Sequence, residues 1–136
     1  MTKISEISYK GNLRVSSKHL QSGMQVITDA PTDNHGKGEA FSPTDLVSTA
    51  LGNCMITLMG IAANTHNIYL GKIDAEVYKI MDINPRRIKE IKIDLKIENK
   101  NFTDKQKKIL ETAALNCPVA KSLSENTFQN ISFYYY

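Results

Sequence analysis

Cys54 and Cys117 are the only two thiols in this 136-residue chain, and they stand in contrasting local sequences. Cys54 lies in the middle of FSPTDLVSTALGNCMITLMGIAA, residues 41 to 63, the most apolar stretch of the chain. Cys117 directly precedes Pro118 in LNCPVAKSL. Two chemistries suit such a pair. Free cysteine is among the most buried residue types, so both can be inert core residues. Alternatively one thiolate attacks an oxidant and the other resolves the sulfenic acid into a disulfide.

The local patterns bear on reactivity. Cys54 is too far along its helix to use the dipole at the helix start, and burial alone would raise its pKa. A reactive Cys54 therefore needs a cation or hydrogen-bond donor brought by another segment. By their own sequence context Arg14 is most simply an exposed strand residue and Lys10 a turn residue. Cys117, at a helix start, would meet free backbone N–H groups that favour its thiolate. Asp45 stands at the start of the Cys54 helix, where a capping role is open to it.

Other chemistry-bearing residues form weaker patterns. His19, His35 and His66 have no metal-ligand spacing to each other or to the cysteines, so no metal site is expected. HGKG at 35 to 38 lacks the preceding strand and the Ser or Thr of a phosphate loop, and reads as a mobile lid. KQKK at 105 to 108 is flanked by Asp104 and Glu111 and reads as a solvated helix face.

The elements that must position the cysteines are well signalled. Residues 4 to 28 alternate loosely, with turn candidates at 10 to 12 and 21 to 23, which predicts an antiparallel meander. Residues 29 to 40, DAPTDNHGKGEA, read as a loop. Ser42, Pro43 and Asp45 make a capping box with proline at the first helical position, and Phe41 with Leu46 occupy the places of a hydrophobic staple. The helix they start is expected to run to about Asn64. Alternation over 73 to 77 and 91 to 97, separated by the turn-rich MDINPRR, predicts a hairpin. Thr103 and Gln106 form a second capping box for a helix over 104 to 115. Pro118 restarts a short helix, and ISFYYY returns to strand. The order predicts an α+β fold in a single domain, 1–136.

A helix apolar on nearly every side must be covered on every side, so a partner chain is expected to help. A membrane span is disfavoured by Ser48, Thr49, Gly52, Asn53 and Gly60 within the run. The net charge of +3 comes from scattered basic residues, which excludes a concentrated nucleic-acid footprint. The N-terminus shows no secretory h-region, so a cytoplasmic location with reduced cysteines is expected.

The motif SPTDLVSTALGNCM, followed after a long gap by LNCPVAKSL, resembles the OsmC/Ohr family of thiol-dependent peroxidases over nearly the whole chain. Members carry a Pro-acidic-Leu element before the first cysteine and a Cys-Pro pair before the last helix. The resemblance implies antiparallel sheets wrapped around long central helices in an intertwined homodimer, with a reactive site at each interface. It casts Cys54 as the peroxidatic cysteine and Cys117 as the resolving one. It implies reduction of a small organic hydroperoxide, recycling by a dithiol such as a lipoyl group, and no cofactor. Two positions depart from the family: Thr44 stands where the peroxidases usually have Glu, leaving Asp45 as the nearest acid, and Arg14 and Lys10 only approximate the activating Arg. These departures keep open a second function on the same scaffold, a small-ligand binding protein with little or no peroxidase activity.

Overall fold

The computed structural model describes all residues, 1–136, and the chain divides into two compact units, Met1–Val47 and Ser48–Tyr136. The first unit is built on the predicted meander, β1 (Ser5–Gly11), β2 (Arg14–His19) and β3 (Gln25–Asp29), paired antiparallel in that order. Directly opposed residues share a face. Ile7, Ser17 and Val26 lie in one row, with Tyr9, Val15 and Thr28 in the next, and together they give the sheet an apolar face. The opposite face carries Glu6 with Lys18 and Gln25, and ends at the pair Arg14 and Asp29.

After β3 the chain makes a single 3-10 turn, Thr32–Asn34, and doubles back. Gly36 donates its N–H to Pro31 O at 2.9 Å, and a Cβ at Gly36 would fall 1.7 Å from Ala30 O. Only glycine permits so close a backbone approach. The loop then enters α1 (Pro43–Thr65).

The second unit holds most of α1, followed by the hairpin β4 (Ile73–Asp82) and β5 (Arg87–Ile97), then α2 (Asp104–Leu115), α3 (Pro118–Ser122) and β6 (Phe128–Tyr135). Both strands of the hairpin run further than their alternation alone suggests, leaving residues 83 to 86 as the turn. The sheet order is β4-β5-β6. β6 lies parallel to β5, which corrects the expectation of wholly antiparallel sheets. The reason is the crossover through α2 and α3, which returns the chain to the same end of the sheet before β6 begins.

One face of this sheet forms the core. Ile91, Ile93, Leu95 and Ile97 of β5 are fully buried, alternating with Lys92, Asp94 and Lys96 on the other face. α1 lays Ser48, Leu51, Gly52, Met55, Met59 and Ala63 inward, a stripe at helical spacing. A Cβ built on Gly52 would stand 3.4 Å from Val77 Cγ2 and 3.6 Å from Ile93 Cδ1, which places this turn of α1 directly on the β4–β5 pair. Leu110 and Ala114 of α2 complete the cluster. By length and composition α1 is long and apolar enough to cross a membrane, but its buried stripe is that of a core helix. Cys54, Ile56 and Leu58 at the edges of that stripe are partly buried against the core, whereas Ile61 is 53% exposed.

Candidate functional site

Cys54 is carried by α1 one residue before Met55, so it flanks the buried stripe instead of belonging to it. It is half-buried and packs against the core cluster. Its helix starts as the sequence predicts. Asp45 Oδ2 accepts the Ser42 N–H at 2.9 Å, and Ser42 Oγ accepts the Asp45 N–H at 3.1 Å. Thr44 Oγ1 lies 3.2 Å from Ser42 Oγ. Asp45 thus has a defined structural duty at the helix start.

Cys117 is placed by the break between α2 and α3. Pro118 disfavours helical backbone at the residue before it, and Cys117 is extended, φ −65° and ψ 154°, as the N-cap of α3. From there its Sγ accepts the Ala120 N–H at 3.5 Å. Gln129 of β6 fixes the same residue from the other side, its Nε2 donating to Ala120 O at 3.0 Å. Cys117 is 0% exposed.

The fold brings the two sulfurs together. Both are free thiols, and Cys54 is near enough to Cys117 to influence its ionisation. The Cys117 thiol is pushed above its ordinary pKa, chiefly by burial and further by the neighbouring Cys54. The Ala120 N–H pulls the other way without reversing the shift. This corrects the expectation that a helix start would favour the Cys117 thiolate, because desolvation in a full core outweighs one long N–H···S contact. The arrangement is unsymmetrical. Cys54 is reachable from solvent, while Cys117 waits behind it as a protonated thiol.

In the first unit, Arg14 is tied down by two carboxylates. Its Nε donates to Asp29 Oδ1 at 2.7 Å, one Nη donates to Asp29 Oδ2 at 2.8 Å, and the same Nη reaches Glu39 Oε1 at 3.2 Å. Asp29 is buried and also accepts the Glu39 N–H at 3.2 Å. The guanidinium holds the Asp29 carboxyl below the usual carboxylate range, chiefly through these hydrogen bonds. Lys10 is exposed beside Ser8 and Ser16 on the polar face of the same sheet. The sequence reading named Arg14 but missed Asp29, Glu39 and Gln129. Period-two alternation placed Arg14 on a strand, whereas its cross-strand partner is set by register, which the turn geometry decides.

Residues 36–131 match the family model described as OsmC-like protein. A crystal structure from Psychrobacter arcticus 273-4, described as an osmotic stress induced and detoxification response protein, is 46% identical, with a TM-score of 0.92 over 98% of this chain and 97% of that one. An OsmC-like protein from Mycoplasma pneumoniae is 17% identical, with a TM-score of 0.79 over 99% of each chain. An organic hydroperoxide resistance protein OsmC from Legionella pneumophila is 15% identical, with a TM-score of 0.73 over 98% of each chain. The latter two show likeness of fold. No curated protein matches the chain.

Proposed function

The chain belongs to the OsmC-like protein family, and on that premise we propose that it is a thiol-dependent peroxidase that reduces small organic hydroperoxides. The observation that carries the reading is the contact between a solvent-reachable Cys54 and a buried, protonated Cys117. The Cys54 thiolate attacks one oxygen of the hydroperoxide. The O–O bond breaks, the alcohol leaves after taking a proton, and Cys54 becomes a sulfenic acid. Cys117 then attacks the Cys54 sulfur. The S–S bond forms, and the sulfenic oxygen leaves as water with the proton Cys117 had kept. A dithiol of lipoyl type reduces the disulfide and is itself oxidised to its own disulfide.

Asp45 and Arg14 are assigned to supporting and activating the Cys54 thiolate, in line with the family resemblance. The Asp29 and Glu39 carboxylates would hold Arg14 as a fixed charge rather than a wandering one. The same reading takes residues 1–136 as one OsmC-like domain in a cytoplasmic homodimer, without nucleic-acid or membrane partners. The bare apolar face of the first sheet, where Ile7 is 67% and Tyr9 66% exposed, supports a second copy as its cover.

Thiol counting tests the reaction. A slight excess of cumene hydroperoxide over reduced protein should remove two thiols per chain rapidly, and hydrogen peroxide should do so more slowly. Two thiols persisting after the organic peroxide would overturn the peroxidase and leave the small-ligand binding protein.

A further inference from the structure

Between the last turns of α1 and one side of α2 lies a cleft of about 530 Å³, a size that suits a small organic ligand. Its floor is Ala62 of α1 with Ile109 and Ala113 of α2. His66, Lys105, Lys108 and Thr112 are its other lining residues. Every polar side chain in this lining can donate a hydrogen bond, and no carboxylate is among them.

The charges of α2 are sorted by side. Glu111 accepts from the Tyr135 hydroxyl at 2.9 Å, and Lys107 stands 4.8 Å from the centre of the Tyr135 ring, both against β6. Lys105 and Lys108 line the cleft instead. Three lysines on or next to the sheet of this unit are matched by acids, Lys92 with Asp94, Lys96 with Glu76 and Lys100 with Glu98. The two cleft lysines have no such carboxylate.

An apolar floor beneath unmatched cations is complementary to a molecule with an alkyl body and one negative end. We propose that this cleft binds an amphipathic carboxylate, its head held by Lys105 and Lys108 with His66 and its chain lying over Ala62, Ile109 and Ala113. Neither cysteine lines the cleft, so the proposal does not rest on the thiol chemistry.

The test uses the full chain carrying Cys54→Ser and Cys117→Ser, which cannot be oxidised at sulfur, with decanoate as the probe below its micelle concentration. Calorimetry should show one decanoate per chain with a Kd on the order of 100 µM, and decanol should bind about tenfold more weakly. Replacing both lysines, Lys105→Gln with Lys108→Gln, should weaken decanoate about tenfold while leaving decanol unchanged. Ala113→Phe, which fills the floor, should abolish binding of both. The proposal is overturned if decanoate gives no heat, if decanol binds as tightly, or if the glutamine pair binds decanoate like the parent. Light scattering separates the remaining occupant. If the glutamine pair dissociates a dimer that the parent forms, the cleft is an interface between copies and not a ligand site.

Discussion

Cys117 is fully buried beside Cys54 and its thiol is held protonated, chiefly by burial, so its proton needs a nearby acceptor to leave. The oxygen of a Cys54 sulfenic acid is such an acceptor. Cys54→Ser should therefore abolish peroxide turnover and also leave Cys117 unalkylated by iodoacetamide at pH 7, because burial still holds it protonated. Cys117→Ser should allow one oxidation per chain and then accumulate sulfenic acid, detectable by dimedone labelling and mass spectrometry. Equal single-turnover rates in the two variants would refute the division of roles. Arg14 and Asp29 give a second result at this scale. The folded Asp29 carboxyl titrates below its ordinary value of 3.8, so its contribution to stability is fully present above that pH. It is lost as the pH falls through the lowered folded value. The urea midpoint should drop on acidification below about pH 4, and Asp29→Asn should lower it at neutral pH while flattening that part of the profile. A parent profile identical to that of Asp29→Asn would show that the pair contributes nothing.

Among the elements, α1 is the one on which the site depends, and Gly52 is a weak residue within it. A glycine inside a helix costs about 0.5–1 kcal/mol relative to alanine. The added methyl would meet Val77 and Ile93 at 3.4 Å and 3.6 Å, ordinary contact distances. Gly52→Ala should thus raise stability by up to about 1 kcal/mol, read from chemical denaturation. A loss would mean that α1 sits closer to the sheet than these distances allow. α2 offers the opposite case. Thr103 Oγ1 accepts the Gln106 N–H at 3.1 Å, and Gln106 Oε1 accepts the Thr103 N–H at 3.0 Å. Thr103→Ala should cost about 1 kcal/mol, because the first turn of α2 loses one of its acceptors.

For the whole molecule, the decisive property is the apolar surface that one copy leaves bare. In the first unit it is the Ile7 and Tyr9 face of the sheet, and in the second the outer side of α1 at Ile61. A second copy covering these surfaces predicts a mass twice 15.2 kDa by light scattering at low micromolar concentration. Ile61→Glu should return the mass to one chain while the far-ultraviolet circular dichroism is kept, since Ile61 contributes nothing to the core of its own unit. A parent protein that is monomeric under these conditions would remove the shared site from the proposed mechanism.

Local signals in the sequence determined most of the elements and the identity of the two thiols. Ser42 with Asp45 and Thr103 with Gln106 announce helix starts because a capping box is closed within four residues. The alternation from Ile91 to Ile97 announces a half-buried strand because the pleat has period two. Cys-Pro likewise forces a break at Cys117 from backbone sterics alone. Tertiary structure decided what no such window contains. The parallel placement of β6 follows from where the crossover ends, and the Arg14–Asp29 pair follows from strand register. The protonation of Cys117 follows from how much of the core closes around it. Each of these is an interaction between residues distant in the chain, and its energy depends on desolvation and register that exist only once the sheets and helices are packed.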